Sequence, residues 1–202
     1  MKHKSLFVTC VVVAFGHGFL SCGNQKKEEI KEGQAIATAS CTYSRDEKDK
    51  VGKRIRVVAE EAFMTIHFPD SVSQPKYKGE DLLKGYMSCV SVDTVIGVNL
   101  SFLIRMADAD ESYGGIKKGN KISFILKSGK TIELSFGSTF SGNTNLSKES
   151  TEYLSFAHLS KSAVEQLKLE ELQSVMISWS KKEETYAVIN PKVFINQLPC
   201  VE

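Results

Sequence analysis

Apolar positions alternate with polar ones along much of the chain, and this period of two is typical of half-buried β-strands. The clearest run is Val90–Met106, whose alternating apolar residues are Ile96, Val98, Leu100, Phe102, Ile104 and Met106. It predicts one long strand with one face in the core. Within Lys53–Phe68 the alternation changes phase near Glu60 and Glu61. Such a slip predicts a bend or bulge between two strand segments.

The segment Lys121–Phe136 predicts a β-hairpin with a defined register. A three-residue loop, Lys127–Gly129, pairs Phe124 with Ile132 and keeps the apolar residues of both strands on one face. A two-residue loop would mix the two faces. Gly129 then occupies the left-handed position that such a loop requires.

The later segments predict one long loop, one more strand and two short helices. Gly137–Thr151 is rich in Ser, Thr, Asn and Gly, which predicts a mobile or functional loop. A capping-box pattern at Ser162–Glu165 predicts a short helix. The last two elements are a strand with alternating Val175, Ile177 and Trp179, and a helix at Lys192–Leu198 opened by Asn190 and Pro191. The predicted fold class is mostly β (α+β), an antiparallel sheet or sandwich with one or two short helices.

The first residues of the chain have the pattern of an export signal. Two lysines precede Ser5–Phe15, an apolar run shorter than the roughly 20 residues that span a membrane as a helix. A small residue, Ser21, then stands directly before Cys22. We predict a signal segment at 1–21 and Cys22 as the lipid anchor of the mature chain. The alternative is cleavage after Gly18, which gives a secreted or periplasmic protein.

Leu20-Ser21-Cys22 resembles the relaxed lipobox of lipoproteins from the Bacteroides and Flavobacterium group, although Phe19 stands where the usual box has Leu. The resemblance implies diacylglycerol on Cys22 and attachment to the outer membrane. Residues 22–39 are polar and charged, so we predict a flexible tether there. Its Lys27-Glu28-Glu29 resembles the signal that sends some of these lipoproteins to the cell surface.

Residues 40–202 are enough for one domain with a substantial core, and we predict a single mostly-β domain. Its order of elements resembles uncharacterised exported proteins of the same bacterial group, a resemblance that implies no activity. The matching residues are the Tyr43-x-x-Asp46-Glu47 opening and the Ile116–Ile122 hairpin entry.

The charge of the mature chain disfavours nucleic acid as a partner. The full chain has 26 Lys and Arg against 24 Asp and Glu. The signal segment holds two of the lysines and no acidic residue, so its removal leaves the two signs equal. A balanced chain lacks the basic field that nucleic-acid binding requires.

The chain has five cysteines, of which one lies in the signal segment and one is the predicted anchor. The other three are Cys41, Cys89 and Cys200. An exported protein meets an oxidising compartment, so one disulfide and one free thiol are expected. We favour Cys41 with Cys89, because loop-closure entropy slightly favours the shorter separation. A disulfide from Cys41 to Cys200 is the alternative.

The sequence contains no recognisable catalytic or cofactor-binding motif. His67 falls on the polar face of its predicted strand, which favours a solvated histidine. Asp108 and Asp110 resemble the start of a calcium loop, but Tyr113 stands where that loop needs glycine. We therefore predict neither a metal nor a cofactor, with a looser calcium site at Asp108 and Asp110 as the alternative.

Three further features concern binding and modification. Phe140 and Leu146 are the two large apolar residues within the predicted polar loop, where they either pin the loop to the sheet or contact a partner. Asp70-Ser71-Val72 resembles the tripeptide that receives O-glycans on exported proteins of the Bacteroides group, which implies an acceptor at Ser71. Trp179 is expected in the core, with a sugar-stacking platform as the alternative.

These observations favour a non-catalytic binding or accessory module, anchored by lipid to the envelope or cell surface, with a protein or glycan partner. One alternative is an extracellular hydrolase whose carboxylates are brought together by the fold. The other is a structural component of an outer-membrane assembly, which an unpaired edge strand would favour.

Overall fold

A computed structural model describes residues 41–67 and 81–202. These residues belong to one compact unit. Strands predominate among them, and all of their strand pairings are antiparallel. The predicted mostly-β antiparallel fold is therefore confirmed.

The described elements follow one another with short connections. The strands are β1 (Tyr43–Lys48), β2 (Arg54–Val58), β3 (Glu61–Ile66), β4 (Leu83–Val92), β5 (Val95–Ile104), β6 (Lys121–Leu126), β7 (Thr131–Ser135), β8 (Asn143–Asn145), β9 (Ser150–His158), β10 (Leu172–Ser178) and β11 (Glu183–Val188). The helices are α1 (Ala109–Ser112), α2 (Lys161–Leu167) and α3 (Val193–Val201), and a 3-10 turn spans Leu146–Lys148.

The strands of the described residues form one sheet in the order β7-β6-β10-β11-β3-β4-β5-β9-β8. Strand β2 joins this sheet by pairing with β4, and β1 pairs with β2. The sheet curls, because Phe136 just after β7 pairs with Ala157 of β9. Helix α3 packs against β2 and β4, and the ring of its Phe194 meets that of Phe124 edge-on at 4.9 Å.

The hairpin β6–β7 has the predicted register. Ile122 lies opposite Leu134, and Phe124 lies opposite Ile132. All four side chains are buried, as one shared core face requires. Gly129 has φ of 84°, the left-handed conformation predicted for the three-residue loop.

The predicted break near Glu60 and Glu61 is also confirmed, because β2 ends at Val58 and β3 begins at Glu61. The prediction of one strand over Val90–Met106 is wrong. Strand β4 ends at Val92, and Asp93 begins a tight turn with φ of 57° before β5 starts at Val95. An aspartate tolerates this left-handed conformation better than most residues, so it can hold the turn.

The two predicted helices exist with different starts. The side chain of Ser160, two residues before the predicted cap, accepts a hydrogen bond from the Ala163 amide and caps α2. The last helix begins at Val193 after a turn at Asn190 and Pro191. Part of the predicted loop is ordered, because β8 pairs with β9.

Candidate functional site

Four large apolar side chains are exposed on the outer face of three neighbouring strands. They are Val92 of β4, Val95 of β5, and Leu154 and Phe156 of β9, with exposed fractions of 41%, 49%, 45% and 37%. We call them the outer apolar face. It consists of two pairs, Val92 with Val95 and Leu154 with Phe156, and the Phe156 ring lies against Gly97, two residues from Val95.

The strand register places these four side chains on one face. Val92 lies opposite Val95, and β5 pairs in turn with β9, where Asn99 lies opposite Phe156. Side chains two residues apart share a face of a strand, so Leu154 lies beside Phe156. Gly97 makes room for the Phe156 ring, since a Cβ at position 97 would lie 2.3 Å from it.

A pocket of about 280 Å³, which we call the tip pocket, adjoins the outer apolar face beside the β4–β5 turn. Its apolar walls are Val95, Ile96, Leu159 and Val164, and its polar walls are Thr94, His158, Lys161 and Glu202. Val95 belongs to both the pocket and the face. Apolar walls with a few polar groups at the rim suit an apolar side chain of a partner.

Two carboxylates lie near one another on the described surface. Partial burial raises the pKa of Glu60, and the negative charge of Glu152 raises it further. Glu152 also accepts a hydrogen bond of 3.4 Å from the hydroxyl of Ser101. Glu60 lies between β2 and β3, and Glu152 lies in β9. The two are far apart in the sequence, so the sequence alone could not show that they are neighbours.

The cysteines pair differently from the favoured prediction. Cys41 forms a disulfide with Cys200, so the pairing of Cys41 with Cys89 is wrong and the alternative is observed. Cys89 is the free cysteine among the described residues and is fully buried in β4. Burial raises the pKa of its thiol first, and the nearby Glu61 carboxylate raises it further, so the thiol is kept protonated.

A second pocket, of about 260 Å³, lies beside the disulfide and is lined by both of its cysteines and by Glu61 and Gln197. The Gln197 amide donates to Glu61 at 2.9 Å, and its oxygen accepts from the Cys89 backbone amide at 2.8 Å. Asn190 donates to the other oxygen of Glu61, also at 2.9 Å. Because this network joins α3 to β3 and β4, its direct role is to hold the last helix in place.

The two candidate loop residues have different positions. Phe140 is half-buried against the core, and its backbone exchanges two hydrogen bonds with Ile116, of 2.7 and 3.0 Å. Leu146 is 78% exposed. The structure therefore separates them, because Phe140 pins the segment while Leu146 projects into solvent at the 3-10 turn.

The carboxylate of Asp110 is engaged by the protein itself, since it accepts a hydrogen bond of 2.6 Å from the hydroxyl of Tyr153. Asp108 is exposed in front of α1. The described ranges contain no group of three or more His, Cys, Asp and Glu placed to hold a metal ion.

The remaining site predictions have mixed outcomes. His67 is exposed and pairs with Asp81 at 2.5 Å. Trp179 lies in the core at 4% exposure, among the rings of Phe102, Tyr113 and Tyr153. Cys22 and Ser71 lie outside the described residues.

No helix within residues 41–67 and 81–202 is long and apolar enough to span a membrane. No family model, curated protein or solved structure matches the chain.

Sequence reasoning missed the outer apolar face because it missed β9. Apolar residues of β9 point to both sides of the sheet: Tyr153 and Ala157 inward, Leu154 and Phe156 outward. The alternation that marks a half-buried strand is therefore absent. The aromatic and β-branched residues of Thr151–His158 were the signal that could have indicated a strand.

Proposed function

We propose that this protein is a non-catalytic binding module that docks a partner protein on its outer apolar face. The carrying observation is the exposure of Val92, Val95, Leu154 and Phe156 on three neighbouring strands. Removing such a patch from water stabilises a complex by roughly 25 cal/mol for each Å² of apolar area buried.

The surroundings of the face support a protein partner. The tip pocket offers a recess at one end for a single apolar anchor, and His158, Lys161 and Glu202 supply charged and polar groups at its rim. An apolar centre with a polar rim is the usual anatomy of a protein interface. The regular strands β5 and β9 also hold the patch in a fixed shape, which reduces the entropy lost on binding.

A paired substitution tests this function. Leu154→Ser with Phe156→Ser removes two of the four exposed apolar side chains and leaves the core residues in place. We expect partner retention on the native envelope to fall at least tenfold while the protein stays folded, with a small fall in melting temperature because the Phe156 ring no longer packs on Gly97. Leu169→Ser is the matched control, because Leu169 is 85% exposed, follows α2 and does not belong to the outer apolar face. Equal retention by all three proteins would contradict the proposal.

We further propose that Cys22 carries the lipid that holds this module at the outer membrane, with the tether presenting it at the cell surface. The support is the order of basic start, apolar run and Ser21-Cys22. Cys22→Ala should lose incorporation of labelled fatty acid and leave the membrane fraction. Cys89→Ala should keep both the label and the membrane location. Label retained by Cys22→Ala would contradict the anchor.

An extracellular hydrolase is the second candidate, and one observation favours it. The pKa of Glu60 is raised by burial and by Glu152, as the pKa of a general acid is, and Glu152 supplies a second carboxylate beside it. The test is hydrolysis of a panel of aryl glycosides. Activity that disappears in both Glu60→Gln and Glu152→Gln would support this candidate, and activity unchanged in both would reject it.

A further inference from the structure

Strand β7 is an edge of the sheet within the described residues, and its free side faces a groove. The groove has a volume of about 330 Å³. Its first wall is β7, its second wall is formed by Ser160, Ser162, Ala163 and Gln166 at α2, and His158 stands at one end. We call this cleft the β7 edge groove.

The hydrogen-bond phase of the β6–β7 hairpin shows which backbone groups face the groove. Leu126 donates to Lys130 at 2.8 Å, and Phe136 donates to Asn120 at 2.9 Å. Backbone groups alternate in direction along an antiparallel strand, so Ile132 and Leu134 also bond to β6. The amides and carbonyls of Thr131 and Glu133 therefore point away from β6, and no described strand pairs with them.

Pairing on this side of the hairpin has already begun at one end of the groove. Phe136 pairs with Ala157 of β9, and the Gly137 amide donates to the Phe156 carbonyl at 2.8 Å. The pairing stops there because the chain leaves β9 after His158 and turns into α2. A separate strand lying in line with β9 would continue the same antiparallel ladder along Glu133 and Thr131.

We propose that the β7 edge groove binds an extended segment of a partner protein as an added antiparallel strand. Free backbone donors and acceptors in a row recognise an extended peptide through its own amides and carbonyls. The helix on the far wall favours a single extended chain over the edge of a second copy, because a whole domain would meet α2. This surface includes none of the four residues of the outer apolar face, although His158 lines both the groove and the tip pocket.

The groove also specifies the side chains of the peptide. Ile132 and Leu134 are buried on one side of β7, whereas Thr131, Glu133 and Ser135 are exposed on the other. Side chains of paired strands line up on the same face. The bound segment should therefore alternate small or β-branched apolar residues, packed towards Ala163, with polar residues that remain in water.

Proline at position 133 tests the added strand. Glu133→Pro removes an amide that points into the groove and leaves the β6–β7 ladder intact, since proline is tolerated on the free side of an edge strand. Glu133→Gln is the matched control, because it removes the charge that pairs with Lys121 at 2.7 Å and keeps the amide. The probe is a library of random 12-residue peptides, selected on the full mature chain.

We expect the selected peptides to alternate apolar and polar residues, and to slow hydrogen exchange at Thr131 and Glu133. Binding should weaken at least tenfold for Glu133→Pro and stay within twofold for Glu133→Gln. Methylating alternate peptide amides should abolish binding to the unchanged protein, a readout that does not depend on how the proline variant folds.

Three results would overturn the proposal. The first is failure to select any peptide, or equal binding by Glu133→Pro in its folded form. The second is slow hydrogen exchange at Thr131 and Glu133 in the absence of peptide, if the exchange becomes fast when the protein is diluted. That result indicates a second copy in the groove. The third is the same protection at every dilution, which indicates another segment of this chain. Leu154→Ser, which leaves Phe156 in place, should still bind the peptides, so failure at the outer apolar face remains distinguishable.

Discussion

Cys41 and Cys200 form a disulfide that joins the beginning of the described domain to its last helix across a sequence separation of 159 residues. The hydroxyl of Tyr43 donates to the carbonyl of Cys200 at 2.8 Å and adds a second tie at the same place. Helix α3 is therefore held in two ways: its buried face packs against the sheet, and the disulfide ties its C-terminal end to Cys41. Strand β1 pairs only with β2 among the described strands, so this tie also secures a margin of the sheet.

Loss of this disulfide should destabilise the domain strongly. A cross-link over so long a loop removes much of the entropy of the unfolded chain, about 4 to 5 kcal/mol in the chain-entropy model. We expect Cys41→Ala with Cys200→Ala to lower the free energy of unfolding by an amount of this order, measured by urea denaturation. A difference below about 1 kcal/mol would show that the tie contributes little.

The thiol of Cys89 should be unreactive in the folded protein. It has no exposed surface, and burial followed by the Glu61 charge raises its pKa above the ordinary value. A thiol-specific reagent at pH 8 should leave Cys89 unmodified in the native state and label it fully in denaturant, as read by intact mass. Rapid labelling of the native protein would contradict this burial.

Tyr186 should contribute more stability through its hydroxyl than Tyr153 does. The Tyr186 hydroxyl accepts from the buried indole nitrogen of Trp179 at 2.7 Å and donates to Glu184 at 2.8 Å. Tyr186→Phe leaves the indole donor without its partner, which costs about 1 to 3 kcal/mol. Tyr153→Phe releases only the exposed Asp110, which water can satisfy. Thermal unfolding of both variants measures the difference, and the reverse order would contradict the network.

Glu60 should make stability depend on pH in a direction opposite to that of most carboxylates. Its pKa in the fold is raised above the ordinary 4.5 by burial and by Glu152, so the fold favours the protonated form. Stability from this group is present below pH 4.5 and declines as the pH rises through the raised pKa. Glu60→Gln should therefore raise the melting temperature at pH 7 but not at pH 4.

The role of Glu152 in that shift can be measured directly. Glu152→Gln removes the second cause, so the pKa of Glu60 should move back towards its ordinary value in an NMR titration. An unchanged titration curve would show that burial alone raises the pKa of Glu60.

The β6–β7 hairpin could be predicted because local chemistry fixed it. Gly129 supplies the left-handed residue, and the alternation on both sides allows one register. Strand β4 lacked such a signal. Met87, Ser88, Cys89 and Val90 are all buried in succession, so their burial shows no period of two. The turn at Asp93 and Thr94 then fell inside a segment that was read as one alternating strand.

The disulfide could not be derived from spacing. Loop-closure entropy changes only with the logarithm of loop length, so it hardly distinguishes Cys89 from Cys200 as the partner of Cys41. The choice depends on the position of α3, which the Gln197 bonds to Glu61 and Cys89 help to fix. The outer apolar face likewise depends on the pairing of β9 with β5, a contact between distant parts of the chain.

The most direct test of a binding role is site-specific photo-crosslinking at Phe156 in intact cells of the native host. A photoreactive phenylalanine analogue at position 156 retains the shape of the side chain, and the same analogue at position 169 is the control. If a partner binds at the outer apolar face, position 156 should give a discrete higher-mass adduct with one partner protein, and position 169 should give none. Adducts of equal yield from both positions, or none from position 156, would contradict the proposal that this face is where the protein binds.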